Sequence, residues 1–454
     1  MLLGYDDGML TRRAWLASVT AAALAAQPQR PNIIVIVADD LGSADLGFTG
    51  ASDIPTPHLD ALALSGRHCT SGYVSHPFCS PTRAGLLTGR YQQRFGHENN
   101  PRYDRTDATA GLPLSEITLP QTLSAAGYRT GIVGKWHLGA TPAMHPMQRG
   151  FREMYGFLGG GHDYFEQQLE GDPREYLIPI ERNGKPEKFD GYLTPALSRE
   201  AAAFVQRAKP GEPFFLYLAY NAPHTPVQVP QSYENRLQHI PDPARRRYAA
   251  MIVALDDGIG QLTQTLRETK LANNTLVFFF SDNGGPTTVT KCSNAPLRGH
   301  KGQVYEGGIR VPFIVSWPTR IKPGKFESMV SSLDVFATAC AAAGVPLPPN
   351  RDSVNLFPYF DRVVKGNPHL RLFWRTGGGA AWASREGDWK LVRHRDQPLE
   401  LYDLKADSAE SRNIYSDHKF EADQMLSRLT AWDKELIAPV FQSPQPAARK
   451  KKKA

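Results

Sequence analysis

The chain has 454 residues, 52 Lys and Arg against 45 Asp and Glu for a formal net charge of +7, and 41% apolar residues with 39 Gly and 36 Pro. That length exceeds one ordinary domain core, and the composition is globular and loop-rich, which excludes a fibrous or low-complexity protein. Five of the surplus charges are Arg449, Lys450, Lys451, Lys452 and Lys453, so the body is nearly balanced and gives no reason to expect a nucleic-acid partner. The run reads as the end of a solvated basic tail over 441–454.

At the other end, Arg12-Arg13-Ala14-Trp15-Leu16 and the small apolar residues up to Ala26 resemble a twin-arginine export signal, with Ala23-x-Ala25 as a cleavage site. The apolar run falls short of the ~20 residues that a membrane-spanning helix needs. Residues 1–26 are therefore expected to be an export signal outside the fold, and the protein to be periplasmic or secreted. No other stretch is long and apolar enough to cross a bilayer.

Residues 32–38, Asn-Ile-Ile-Val-Ile-Val-Ala, read as a parallel strand buried on both faces, ending at Asp39-Asp40-Leu41-Gly42. Ligands bind beyond the carboxyl ends of strands in open α/β sheets, which makes the two carboxylates candidates for function, against the plain alternative of a turn or helix-cap pair. Thr56-Pro57 opens a helix ending near Gly66. Then comes His76-Pro77-Phe78-Cys79-Ser80-Pro81-Thr82-Arg83-Ala84-Gly85-Leu86-Leu87-Thr88-Gly89-Arg90. Ser80-Pro81 should start a helix stopped by Gly89, which puts residue 79 at a helix N-terminus, where free amides and the dipole favour an anion. Cys-x-Pro-x-Arg followed by Leu-Thr-Gly-Arg resembles the signature of the sulfatase family.

A helix is expected over 118–126 and a strand over 128–133. At the strand's end Gly134-Lys135-Trp136-His137 is similar to a second sulfatase motif, and in an extended chain Lys135 and His137 would project to one side. Residues 141–192 are loop-rich, and loops of this kind often carry specificity. A helix over 194–208 precedes a strand over 213–220 that ends at Asn221-Ala222-Pro223-His224. A long helix over 243–269, striped with Tyr248, Met251, Ile252, Leu255, Ile259 and Leu262, leads to a strand over 275–280 ending at Ser281-Asp282-Asn283-Gly284. Leu297-Arg298-Gly299-His300-Lys301-Gly302 and Tyr305-Glu306-Gly307-Gly308-Ile309-Arg310 again match the family pattern. Asp334 is expected to cap a helix over 335–343. Short alternating segments over 370–375, 380–385, 388–393 and 399–402 suggest an antiparallel sheet, covered by a helix over 417–436.

The resemblance implies an alkaline-phosphatase-like α/β fold with a large, mostly parallel mixed sheet over 30–346, and a small C-terminal α+β domain with an antiparallel sheet over 351–440. It implies hydrolysis of sulfate monoesters, with Cys79 converted by a formylglycine-generating enzyme to formylglycine (3-oxoalanine), whose hydrate attacks sulfur. With Cys79 consumed, Cys69, Cys292 and Cys340 leave room for one bridge at most, so no disulfide framework is expected. Asp39, Asp40, Asp282 and Asn283 offer hard oxygen ligands that suit Ca2+ or Mg2+; the family favours Ca2+, next to residue 79. Arg83 would stabilise the ionised hydrate. Lys135, His224 and Lys301 correspond to sulfate-contacting positions, with His224 as general acid, Lys301 assisting, and His137 as the base that acts on the hydrate. His300 and His162-Asp163 are left as possible substrate contacts. The expected substrate is a sulfated carbohydrate, with an aryl sulfate as the simpler case. Two other readings stay open: a phosphonate or phosphate ester hydrolase on the same fold, and a sulfated-glycan binding protein with Cys79 unmodified. A Cys-x5-Arg phosphatase is disfavoured because residue 85 is Gly.

Overall fold

The computed structural model describes residues 30–442 except 171–173 and 175. The expected export signal and nearly all of the basic tail lie outside these residues. Among them no helix is long and apolar enough to cross a membrane.

Ten strands form one mixed sheet. From edge to edge they are Gly324–Phe326, Arg67–Cys69, Phe313–Ser316, Thr275–Ser281, Asn32–Ala38, Phe214–Ala219, Arg129–Lys135, Glu153–Phe157, Glu181–Arg182 and Lys185–Pro186. The five from Thr275–Ser281 through Glu153–Phe157 run parallel. Their unbroken apolar sequences follow from burial on both faces. Ile33, Val35, Val37, Phe215, Tyr217, Phe278 and Phe280 point into one apolar layer. Ile34, Ile36, Leu216, Leu218 and Phe279 point into the other. The first layer is closed by helices Cys79–Thr88 and Asp334–Ala343 through Leu86, Leu87 and Phe336. The second is closed by Leu193–Gln206 and Pro243–Glu268 through Leu197, Phe204, Leu255 and Ile259.

The register places the functional strand ends level. Ala38 faces Ser281, Val37 faces Ala219, and Ala219 faces Gly134. Asp39, Asp282 and Lys135 therefore leave the sheet at the same edge. Close approach at that edge needs glycine: a Cβ on Gly134, whose φ is +105°, would lie 1.9 Å from the Ala219 carbonyl oxygen.

The four-stranded antiparallel sheet is Arg371–Thr376, Ala381–Glu386, Trp389–His394 and Glu400–Asp403, in chain order. Phe373, Leu391 and Leu401 pack under helix Lys419–Asp433 through Met425, Leu429 and Trp432. The opposite face, with Leu372, Trp374, Ala383 and Val392, merges with the first apolar layer of the large sheet. The four cysteines are free.

Asp334 does a different job from the expected cap. It sits inside its helix, and Leu333 is the cap residue. The Asp334 carboxylate accepts from the Ser331 and Val354 amides and from His369 Nε2 at 2.8 Å. Burial disfavours a charged His369, but the Asp334 charge and hydrogen bond prevail and raise the ring above its ordinary 6.5. A raised pKa contributes stability below the unfolded value and loses it as pH rises through the folded value. His369→Gln should therefore cost about 1.5–3 kcal/mol near pH 5 in urea denaturation, in the range of a charged hydrogen bond, and much less near pH 9. A cost that stays constant or grows with pH would contradict the ion pair.

Candidate active site

Cys79 is the first residue of helix Cys79–Thr88, entered from Phe78 in extended conformation and ended by Gly89 at φ +63°. Every side chain of the helix is buried. Its start faces the level strand ends, and the Cys79 thiol lies 3.4 Å from Asp39 Oδ1. Burial pushes that thiol far above the ordinary range, with Asp282 and Asp39 adding to the rise against Lys135 and Lys301. An unmodified Cys79 is therefore a neutral thiol, unsuited to act as a thiolate nucleophile.

One helical turn on, Arg83 is wholly buried and forks onto Asp282 Oδ2 through Nε at 3.0 Å and Nη2 at 2.7 Å. Its other arm reaches the Lys135 carbonyl and the Tyr217 hydroxyl, each at 3.4 Å. Lys135 Nζ donates to Asp39 Oδ2 at 2.5 Å, and Lys301 Nζ lies 2.7 Å from Asp40 Oδ1. Asp40 has φ +65°, a backbone arrangement held by its amide on Asp282 Oδ1 at 3.3 Å and by Asn283 Nδ2 on its carboxylate at 2.7 Å. Burial alone would raise the Asp39 carboxyl, but Lys135, His224, Arg83 and Lys301 hold it far below the carboxylate range. Asp282 moves the other way, upward, through burial and then the Asp39 charge, with Arg83 opposing.

His224 Nδ1 lies 2.6 Å from the Thr225 carbonyl oxygen. A carbonyl only accepts, so Nδ1 carries a proton and Nε2 is the atom that faces Asp40 Oδ2, at 3.5 Å. His137 does not continue the extended chain expected of Lys135-Trp136-His137. Its φ is +57°, so it does not reach the centre by simple strand alternation. Its Nδ1 is buried without a hydrogen-bond partner, and burial, then Lys135 and Arg83, lower its pKa well below 6.5. It is a neutral imidazole.

The residues present fit a hard divalent cation. The candidate donor atoms of Asp39, Asp40, Cys79 and His224 all lie within 4.8 Å of one another. Asn283 Oδ1 is buried with no partner, and an orphaned carbonyl oxygen beside carboxylates is what a cation ligand looks like without its cation. Asp282 stands beside the cluster, tied to Arg83 and the Asp40 amide.

The histidines left as possible contacts divide. His162 is fully buried and both its ring nitrogens face backbone carbonyls, of Asp163 and Ile178, so it serves the fold and not a substrate. His300 stays partly exposed beside Lys301. Sequence reading missed two supports. Tyr217, hidden in the apolar Phe214–Ala219 strand, offers its hydroxyl to Arg83. Ser80 bonds the His137 carbonyl and His97 Nε2, each at 2.6 Å, bracing the left-handed residue. Only the odd tyrosine in the strand and the serine beside Cys79 could have signalled them.

Comparisons with known proteins bear on the family and the fold of the chain. The family model described as Sulfatase matches residues 31–345, and one described as N-sulphoglucosamine sulphohydrolase, C-terminal, matches residues 300–435. N-acetylgalactosamine-6-sulfatase of Sus scrofa is 34% identical, covering 84% of this chain and 75% of the relative. Arylsulfatase A of Homo sapiens is 33% identical, covering 96% and 94%. Among solved structures, Ps i-CgsB superimposes with a TM-score of 0.87 at 40% identity, covering 91% of this chain and 95% of that one; Ps i-CgsB has also been solved in complex with k-i-k-neocarrahexaose. With the Sulfatase match spanning all ten strands of the large sheet, and relatives a third identical along most of the chain, the chain belongs to the sulfatase family and is a sulfuric ester hydrolase.

Proposed function

We propose that the protein removes sulfate from a sulfated carbohydrate, using formylglycine at position 79 and a bound Ca2+, after export through a twin-arginine signal to the periplasm or beyond. The observation that carries this reading is the placement of Cys79 at a buried helix start, 3.4 Å from Asp39 and inside a cluster of possible cation donors. The substrate class is supported by the N-acetylgalactosamine-6-sulfatase relatives and by the oligosaccharide seen on Ps i-CgsB. The chain division expected from sequence, a catalytic part over 30–346 and a C-terminal part over 351–440, belongs to the same proposal.

Formylglycine would supply a hydrated aldehyde as the nucleophile toward sulfur. A cation held by Asp39, Asp40, Asp282 and Asn283, beside residue 79, would supply Lewis acidity and an anchor for a sulfate oxygen. The remaining work falls to side chains already in place. Lys135 and Lys301 bring positive charge to a site where water is excluded and each charge counts for more. His224 presents Nε2 toward the centre and, when protonated, gives its proton to the leaving oxygen, with Lys301 beside it. His137 is kept neutral by its surroundings and can take a proton from residue 79. Arg83, braced by Asp282, fixes the positive charge one turn behind residue 79.

Conversion of Cys79 should lower the mass of its peptide by roughly 18 Da in protein from a host with a formylglycine-generating enzyme. An unshifted peptide from a host that activates a control sulfatase would sink the formylglycine claim and favour a binding protein. Lys301→Met and His224→Asn should each lower kcat on an aryl sulfate by about 10²–10³, measured well below each variant's own melting transition, which Lys301→Met lowers by leaving Asp40 without its cation. Near-normal turnover in either variant would remove that residue from the mechanism. On a panel of sulfated sugars that includes N-acetylgalactosamine 6-sulfate and neocarrahexaose, sulfate release should exceed that from aryl sulfate. Activity on aryl sulfates alone, or a preference for an aryl phosphate diester, would refute the substrate assignment.

A further inference from the structure

The motif Glu306-Gly307-Gly308-Ile309-Arg310 has no place in the chemistry above, yet it lies directly behind it. Glu306 begins the short helix Glu306–Ile309 and is completely buried. Its Oε1 accepts from Lys390 Nζ at 2.9 Å, its Oε2 accepts from the Tyr73 hydroxyl at 2.7 Å, and Arg310 lies 3.5 Å away. Lys390 comes from the middle of the four-stranded sheet, is itself completely buried, and also pairs with Glu410 at 2.9 Å. Glu410 in turn accepts the Glu306 amide at 2.7 Å. Burial alone would raise the Glu306 carboxyl, but Lys390, Arg310 and Arg385 hold it below the ordinary carboxylate range.

The two glycines transmit this anchor toward the active site. The Gly284 amide donates to the Gly308 carbonyl at 3.0 Å, and a Cβ on Gly284 would lie 1.8 Å from the Gly307 carbonyl oxygen. Gly284 directly follows Asn283. On the other side, the Gly307 amide donates to the Arg298 carbonyl at 2.7 Å, and a Cβ on Gly308 would lie 2.0 Å from the Gln303 carbonyl oxygen and 2.7 Å from that of His300. The loop so gripped carries Lys301, whose amide reaches the Gly285 carbonyl at 3.3 Å. The turn thus touches the loop of the cation-ligand candidate and the loop of the sulfate-facing lysine at once, through backbone contacts with no room for a side chain.

We infer that Lys390 and Glu410 are positioning residues: Lys390 from the C-terminal sheet and Glu410 from the loop that follows its last strand hold Glu306, and through the Gly307-Gly308 turn they set Asn283 and Lys301 in register with residue 79. The inference rests on the proposed reading of the site. It makes the C-terminal sheet a structural part of the catalytic centre and not an appended domain.

The test uses the full-length converted protein and four chains: wild type, Lys390→Met, Lys390→Arg, and the paired variant Lys390→Met with Glu410→Gln, which removes one charge of each sign. Calorimetry with CaCl2 on metal-stripped protein gives cation affinity. Turnover of an aryl sulfate is expressed per formylglycine, and melting temperature reports the fold. Second-layer supports of this kind are typically worth about 10–100-fold, so the paired variant should bind Ca2+ and turn over about that much more weakly while staying folded, and Lys390→Arg should recover most of both. A folded paired variant with wild-type Ca2+ affinity and wild-type turnover per formylglycine, changed only in melting temperature, would overturn the inference, because it would show a role in stability alone. A wild type that binds no Ca2+ and releases no sulfate would overturn the reading of the site together with it.

Discussion

Three buried carboxylates, Asp39, Asp40 and Asp282, face three cationic side chains, Arg83, Lys135 and Lys301, and the centre depends on that balance. Each carboxylate is at most 2% exposed. Removing one partner from such a set leaves an uncompensated buried charge, typically worth about 3–5 kcal/mol. Charges held this tightly cost stability and return preorganisation: their positions are set before a sulfate arrives, and their fields act with little water between them. The same balance explains why neighbouring groups diverge. Cations hold Asp39 ionised, burial and the Asp39 charge raise Asp282 against the pull of Arg83, and burial with the neighbouring cations lowers His137.

That concentration of charge is possible because the parallel strands end level. Each of three strands delivers a polar residue at the point where its apolar run stops, and glycines at 134 and 284 let backbones approach closer than a Cβ permits. Helix Cys79–Thr88 closes the fourth side with its amino end forward. Covering both sheet faces with apolar layers makes the strands rigid, and rigid strand ends are what allow side chains from six separate segments to meet within a few ångströms.

The antiparallel sheet extends the same logic. One of its faces shares the apolar layer of the large sheet, and Lys390 crosses the junction to a carboxylate behind the active-site loops. The division into two parts is clear in the chain's texture and much less so in its packing.

Much was legible in the sequence. The continuous apolar runs of 32–38, rich in Ile and Val, and 275–280, rich in Phe, read as strands covered on both faces because they are too short for a buried helix and enriched in strand-forming residues, and a polar residue after each marked the functional edge. The Cys-x-Pro-x-Arg context at 79–83 and the Gly-Lys-Trp-His run at 134–137 carried the family. Local sequence was a poorer guide where the backbone departs from regular geometry. His137 lies in left-handed conformation, braced by Ser80, and Asp334 ties the Ser331 and Val354 amides and His369 together in place of capping its helix. Tyr217, Ser80 and Lys390 gained their roles only when segments far apart in the chain came into contact. The sequence by itself determined the strands, the family and the types of side chain at their ends, because hydrophobic period and short motifs are local properties. Which cation meets which carboxylate, and that a lysine of the C-terminal sheet stands behind Lys301, was decided by tertiary structure alone, because ion pairs form between residues that only the register of the folded sheets brings together.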